Sequence, residues 1–323
     1  MKASRYLPVV LLAALALPAS AAAQAPAPAV TLQTSGTQTF ERGQVSLAGL
    51  RVGATARATG ALPGSTLTLT FTHAGRVLAT VQKPVAGEGT ATGSVASAPV
   101  GLVQVQARLA GPGETAPGAG KSSSAMVAVL QSSSRNGSRG AHVRFLQRRL
   151  ADMGFAIRQT GVHDIYTAFA VVAHRKVMGL SRVGTASVAE YRAAFARRGR
   201  YVARYPGAGR HVEGDLKRQV LALVDRGGRV FRVYHTSSGR PAFRTPLGVH
   251  TFWMKEPGLN SRSMLHTVYF THQVPGRRPA CGIHGYFAVP TIAYSHCCFR
   301  VLLQDALFIH KWIHLGEKLY VYR

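Results

Sequence analysis

Acidic residues are scarce in this sequence. Among 323 residues, 12 Asp and Glu stand against 39 Lys and Arg, which gives a formal net charge of +27. After residue 225 the carboxylates are those of Glu256, Asp305 and Glu317, and this argues against a glycosidase with paired carboxylates in that part of the chain. The basic surplus is 4 over residues 30–130 and 21 over residues 131–323. We therefore expect a polyanionic partner for the C-terminal two thirds.

Cysteine is also scarce, with Cys281, Cys297 and the adjacent Cys298. Three cysteines, two of them neighbours, do not suggest a disulfide framework, so we expect stability to come from packing and Cys281 to be a core residue. His310 and His314 have a spacing that can ligate a metal on a helix. Since no acid is placed to complete such a site, no metal is predicted.

Long apolar runs are absent after the N-terminus, so no later segment is predicted to cross a bilayer. Lys2 and Arg5 precede an apolar run at 7–17, and small residues follow as far as Ala23. This pattern is typical of a secretory signal peptide over residues 1–23. We expect an exported protein without a transmembrane span after cleavage, and export argues against nucleic acid as the partner.

Two regions of different character follow the signal. Residues 30–130 alternate apolar and polar side chains between short turns, which predicts an immunoglobulin-like β-sandwich acting as a spacer or adhesive module. Over residues 137–200 the apolar positions recur every three or four residues, which predicts three helices. The second is expected at about 166–178 and the third at about 187–196. The stretch at 111–140 is rich in Gly, Pro and Ser and is in part a linker.

Residues 209–323 return to strand patterns and contain the reactive side chains. In an extended segment His296, Cys298 and Arg300 would share one face, and His284 lies a short loop upstream. A cysteine attacks carbonyls as its thiolate, which needs a nearby imidazole, cation or amide group. The residues alone therefore indicate a candidate acyl-transfer site.

Two family resemblances refine these expectations. Residues 137–185 resemble the peptidoglycan-binding repeat. The matching positions are Gly140, Val143, Leu146-Gln147, Leu150 and Gly154-Phe155, followed by 161–164 and 179–180. That likeness implies a glycan-binding groove between the helices. Residues 209–323 resemble the L,D-transpeptidase (YkuD-type) catalytic domain. The resemblance rests on the order of its motifs: Thr-Pro-x-Gly at 245–248, His-Gly at 284–285 and Ser-His-x-Cys-x-Arg at 295–300, then a helix and a closing strand.

The second resemblance implies a role for each matching residue. Cys298 would be the nucleophile and His284 the general base, oriented by the carbonyl of Gly285. The resemblance also implies residues on the oxyanion and substrate side of the site. These are the catalytic His296 and the supporting residues Ser295, Arg300 and Tyr286. Together the chain is predicted to be multidomain: a β-sandwich, a small three-helix peptidoglycan-binding-like domain, and a mainly-β catalytic domain.

The implied reaction is a transfer within peptidoglycan. Cys298 would form a thioester with a stem tetrapeptide, release D-alanine, and pass the acyl group to an amine to give a 3→3 crosslink. No metal or organic cofactor is implied, and anionic wall polymers are a further candidate partner. Two alternatives stay open: a catalytically impaired murein-binding protein, and an L,D-carboxypeptidase in which water replaces the amine.

Cys297 departs from the family pattern, which has glycine before the nucleophile. Glycine at such a position permits a positive φ or close approach of substrate, and a β-carbon could obstruct either. Adjacent Cys297 and Cys298 could also oxidise to a strained ring that blocks the nucleophile. Three readings of this position stay open: a tolerated substitution in an active enzyme, a slowed enzyme, and a protein with only a binding role.

Overall fold

The structure is a computed structural model that describes residues 27–114, 120–272 and 280–323. The predicted signal peptide, residues 1–23, lies outside the described residues. In the part that is described, no helix has the length and apolar character needed to span a membrane.

The N-terminal region is one curled sheet of seven strands. Its hydrogen-bonded order is β1-β4-β6-β7-β3-β2, and β5 pairs with β4. The strands are β1 Ala29–Ser35, β2 Gln38–Phe40, β3 Gly43–Leu47, β4 Val52–His73, β5 Arg76–Val95, β6 Gly101–Ala110 and β7 Lys121–Leu130.

Strands β4 and β5 are far longer than the expected short strands, with 22 and 20 residues. The first half of β4 pairs with β1 and the second half with β6, and bulges between Ala58 and Ser65 mark the change of partner. Because bulges bend a strand without ending it, the sheet curls around its own apolar core. The immunoglobulin-like sandwich is thus not confirmed, although a mainly-β region is.

Three helices follow, as predicted: α1 Ala141–Asp152, α2 Ile165–Val177 and α3 Val188–Phe195. The side chain of Asp164 caps α2 by accepting from the N–H of Thr167, and Ser187 does the same for α3. Apolar side chains of these helices form one buried cluster with Val45 and Leu47 of β3. The cluster continues into the C-terminal region.

The C-terminal region packs a five-stranded sheet against a four-stranded sheet, with orders β10-β9-β8-β16-β11 and β12-β13-β14-β15. Its core includes Phe252, Val268 and Phe299. Helix α4, Leu303–Trp312, lies close to β13 and β14. The strands are β8 His211–Asp215, β9 Val220–Val224, β10 Val230–His235, β11 Gly248–Thr251, β12 Met254–Leu259, β13 Leu265–Tyr269, β14 Gly282–Gly285, β15 Phe299–Val301 and β16 Lys318–Tyr322. The predicted hairpin at 219–234, the last helix and the last strand are confirmed.

Candidate active site

The parallel pair β14 and β15 brings the predicted base and nucleophile together. In its register Ile283 lies opposite Phe299 and His284 opposite Arg300. Cys298 immediately precedes β15, and the N–H of Gly282 donates to its Sγ at 3.3 Å. Two segments that are distant in sequence thus converge on one thiol because their strands are neighbours in the sheet.

His284 is buried and held in a single tautomer. Its Nδ1 lies 3.0 Å from the carbonyl oxygen of Gly285, which can only accept, so Nδ1 carries the proton and Nε2 has the free lone pair. Burial, together with the charge of Arg300, lowers the pKa of His284 to about 4, against the opposing effect of the Gly285 carbonyl. At neutral pH the imidazole is therefore a neutral acceptor, as a general base requires.

Cys298 is a buried free thiol. Burial raises its pKa above the ordinary value, while the Gly282 N–H and the charges of Arg300 and Arg262 act in the opposite direction. Met264, Tyr269 and the partly buried Ala280 pack around it. The resting site thus contains a neutral thiol and a neutral imidazole rather than a preformed ion pair.

The loop before the nucleophile is fixed by hydrogen bonds to its carbonyl groups. The hydroxyl of Ser295 donates to the carbonyl oxygen of Cys298 at 2.5 Å, and that of Thr245 donates to the carbonyl oxygen of Cys297 at 2.8 Å. The Thr245 hydroxyl also accepts from the N–H of Gly239 at 2.9 Å. A β-carbon at Gly239 would lie 2.9 Å from the Cα of Cys297, so the close approach of the two segments requires glycine.

The part of the chain that contains these residues is similar to known proteins. Residues 209–321 match the sequence model of the L,D-transpeptidase catalytic domain, YkuD. An L,D-transpeptidase from Xylanimonas cellulosilytica is 29% identical with a TM-score of 0.52, and the match covers 60% of this chain and 98% of that one. Residues 209–321 are an L,D-transpeptidase catalytic domain. This match confirms the second of the two resemblances, whereas the likeness of residues 137–185 to the peptidoglycan-binding repeat stays a prediction.

Two other L,D-transpeptidase structures are more distant. That from Stackebrandtia nassauensis is 20% identical with a TM-score of 0.35, covering 61% of this chain and 98% of its own. The structure from Mycobacterium smegmatis is 20% identical with a TM-score of 0.31, and the match covers 36% of this chain and 59% of that one. No curated protein matches the chain.

His296 of the L,D-transpeptidase domain does not share a face with Cys298. Strand β15 begins only at Phe299, and Cys297 has φ 90°, so the chain turns where an extended segment was expected. Cys298 is buried, whereas His296 is exposed, accepts from Arg240 at 2.9 Å and lies 4.7 Å from the ring of Phe243. The prediction of a common face for residues 296, 298 and 300 was wrong.

Arg300 lies beside the base. Its guanidinium carbon lies 4.1 Å from the centre of the Tyr286 ring, and Tyr286 in turn contacts the His284 ring edge to face at 5.7 Å. The buried Nε of Arg300 has no hydrogen-bond partner among the residues that the structure describes. This cation is therefore oriented by stacking and retains a free donor.

The cysteines differ from expectation in one respect. Cys281 is buried, as predicted for a core residue, but it forms a disulfide with Cys297, with 5.5 Å between their Cα atoms. Cys297 does not form the ring with Cys298 that adjacent thiols allow, and Cys298 remains free. A disulfide was missed because only the pairing of β14 with β15 brings residues 16 positions apart within reach.

Thr245, the first residue of the Thr-Pro-x-Gly motif, was assigned no role by sequence analysis. Its hydrogen bond to the carbonyl oxygen of Cys297 accounts for the threonine of that motif.

His310 and His314 do not form a metal site: His314 contacts Arg210 and Glu317, and His310 packs against the ring of His266. Over the described ranges no group of three or more His, Cys, Asp or Glu could hold a metal ion.

Proposed function

We propose that the protein is an exported L,D-transpeptidase that acts in the cell wall, periplasm or extracellular space and forms 3→3 crosslinks in peptidoglycan. Its main support is the juxtaposition of Cys298 with the neutral His284 on adjacent strands of an L,D-transpeptidase catalytic domain. The substrates are stem peptides, and the reaction is an acyl transfer in cell wall biogenesis.

In the first half-reaction, the free Nε2 of His284 takes the thiol proton of Cys298 as the sulfur attacks the donor carbonyl. The C–N bond to the terminal D-alanine breaks, and His284 returns the proton to the leaving amine. A thioester of Cys298 with the shortened stem peptide remains. General base catalysis is required because the buried thiol is neutral at rest.

In the second half-reaction, an amine of a neighbouring stem peptide attacks the thioester, and His284 accepts its proton. The C–S bond breaks, the new amide is the crosslink, and Cys298 recovers its proton. We assign Ser295 and His296 to the oxyanion side and Arg300 to the substrate carboxylate. The free Nε of Arg300 and its position over Tyr286 support that role.

The helical region and the positive charge complete the proposal. Residues 137–200 would bind the glycan, and anionic wall polymers would be attracted by the basic surplus of the C-terminal two thirds. The positive φ of Cys297 favours an active enzyme over an impaired one, because the position keeps the backbone conformation that glycine allows.

Product analysis of the oxidised protein tests this function. Incubated with purified disaccharide-tetrapeptides and no reductant, the enzyme should release D-alanine and yield peptide dimers. The Cys298→Ala variant should give neither, and the conservative Thr251→Ser change on exposed β11 should give both. Shortened monomers without dimers would instead identify a carboxypeptidase, and unchanged substrate with retained binding to sacculi would identify a murein-binding protein.

A further inference from the structure

The Cys281–Cys297 disulfide joins the two segments that surround the nucleophile. On one side Cys281 precedes Gly282, whose N–H donates to the Cys298 sulfur. On the other side Cys297 precedes Cys298 itself. The crosslink therefore fixes the distance between the thiol and its hydrogen-bond donor, and both of its half-cystines are buried, at 2% and 5% exposure.

Cys297 has a backbone conformation that a side chain disfavours. Its φ of 90° lies in the region that glycine adopts freely and that other residues adopt rarely. The contacts of this backbone leave little room for another conformation, since the Cys297 carbonyl accepts from Thr245 and its Cα packs closely on Gly239. A residue with a β-carbon needs an additional restraint to remain there.

We propose that the Cys281–Cys297 disulfide is a positioning crosslink for the transpeptidase reaction, which replaces the conformational freedom of glycine with a covalent restraint. This inference rests on the proposed role of Cys298 as the nucleophile. The oxidised crosslink holds the loop at its positive φ and keeps Cys298 beside the Gly282 N–H. Catalysis then depends on a disulfide and a free thiol one residue apart.

The arrangement also keeps the two functions of cysteine separate. Cys298 would need to be a thiolate to attack the disulfide, and burial raises its pKa and so reduces the thiolate fraction. Cys281, the other half of the crosslink, is engaged by Cys297 rather than by the nucleophile. The nucleophile thus remains reduced in the same molecule in which its neighbour is oxidised.

Four forms of the full chain test the proposal: wild type, Cys281→Ser, Cys281→Ser with Cys297→Ala, and Cys281→Ser with Cys297→Gly. The readout is the rate of Cys298 acylation by the tetrapeptide donor, with kcat and KM measured separately. Cys281→Ser should lower kcat by at least about tenfold, since small displacements of a reacting group are costly, and KM should change little. Cys297→Ala should not rescue it, whereas Cys297→Gly should return kcat to within about threefold of wild type.

A glycine-specific rescue separates positioning from a general loss of stability, because the rescued variant also lacks the crosslink. Dithiothreitol, which reduces the disulfide while its own two thiols are oxidised, should slow the wild type and leave the glycine double variant unchanged. An equal kcat in wild type and Cys281→Ser would overturn the proposal, as would a well-folded glycine variant no faster than the alanine one.

Failure of the proposed function is distinguishable from failure of this inference. Alkylation of Cys298 by iodoacetamide, followed by peptide mass analysis, needs no transpeptidase activity. It should be faster in Cys281→Ser and in the alanine double variant than in the wild type or the glycine variant, because loosening the loop exposes the thiol. Equal alkylation rates in all four forms would contradict the positioning role even if no form accepted a stem peptide.

Discussion

At the residue scale, the candidate site buries the imidazole of His284 and the thiol of Cys298, and both groups are neutral at rest. Burial lowers the pKa of His284 and raises that of Cys298, so the two shifts act against an ion pair at rest. In the proposed reaction the proton then moves during the attack on the carbonyl, and Nε2 of His284 is available to take it because the Gly285 carbonyl accepts from Nδ1.

The lowered pKa of His284 predicts that the rate of Cys298 acylation depends on pH differently from a reaction that uses an ordinary histidine. Because the folded pKa of His284 is about 4, lowering the pH should remove the base only near pH 4, and the rate should be flat between about pH 5 and 7. His284→Ala should reduce the rate at pH 7 by about 10²- to 10⁴-fold, the usual value of general base catalysis. The measurement is kcat/KM against pH.

The exposed His314 provides the matched control, and His314→Ala should leave the profile unchanged. An acidic limb centred near pH 6.5 would show that the essential imidazole has its ordinary pKa and would contradict the buried, neutral base.

The residues of the site were only partly predictable. Motif order was enough to single out Cys298 and His284 as candidates, and the structure places His284 in β14 and Cys298 directly before β15, its neighbour in the sheet. The separation of His296 from Cys298 was not predictable, because it depends on the positive φ of Cys297. The disulfide was missed for a similar reason: the sequence shows which cysteines exist, but the register of β14 and β15 decides which ones meet.

At the element scale, periodicity predicted helices better than strands. The second and third helices were placed within about one residue of their observed ends, because the apolar spacing of a helix is regular. Strands β4 and β5 were instead divided into short pieces at the turn-like segments that contain Gly64 and Gly87. In the structure these glycines have positive φ within bulges, so the strands continue past the residues that resemble turns.

Helix α2 is attached to the catalytic domain through Lys176. Its buried Nζ lies 2.8 Å from the Gln219 carbonyl, 3.0 Å from the Thr236 carbonyl and 2.7 Å from Nδ1 of His235. Burial lowers the pKa of His235 to about 3, so this imidazole is a neutral acceptor. Burial also lowers the pKa of Lys176, and all three polar contacts of its Nζ lie at the boundary between two regions of the chain.

Removing this attachment should destabilise the boundary without repacking it. Lys176→Met keeps the aliphatic stem but leaves two buried carbonyls without their donor, at a cost of about 2–4 kcal/mol. The expected result is a lower urea midpoint for the helical and catalytic regions. Lys217→Met, an exposed lysine nearby, should change stability by less than about 0.5 kcal/mol. Equal midpoints for the two variants would show that the Lys176 contacts contribute nothing.

At the scale of the whole molecule, the helices are a structural bridge as well as a candidate binding module. One buried cluster runs from β3 through α1–α3 to Val220, Ala222 and Val233 of the catalytic domain. The regions read from the sequence as separate domains therefore share a core. Composition and periodicity could divide the chain but could not show which apolar faces pack across the divisions.

Acid stability depends on buried groups in several parts of the chain. His284 and His235, with folded pKa values of about 4 and 3, are neutral in the folded protein but protonate near 6.5 when unfolded. The unfolded chain binds more protons below pH 6.5, so stability falls as the pH falls, by at most about 1.4 kcal/mol per pH unit for each histidine. Burial raises the pKa of Asp305 to about 6, so this carboxyl acts in the opposite direction between about pH 6 and its ordinary value of 3.8.

Asp305 and the buried histidines have opposite effects on stability as the pH falls, so one substitution at Asp305 can separate them. Asp305→Asn removes the carboxyl that takes up a proton on folding, so the thermal midpoint should fall more steeply from pH 6 to 4 than in the wild type. At pH 7.5 the midpoint of the variant should be higher, because a buried charge has been replaced by a neutral amide. Thermal unfolding without reductant, at half-unit steps of pH, measures both effects. Parallel curves for the two proteins would mean that Asp305 titrates at its ordinary value.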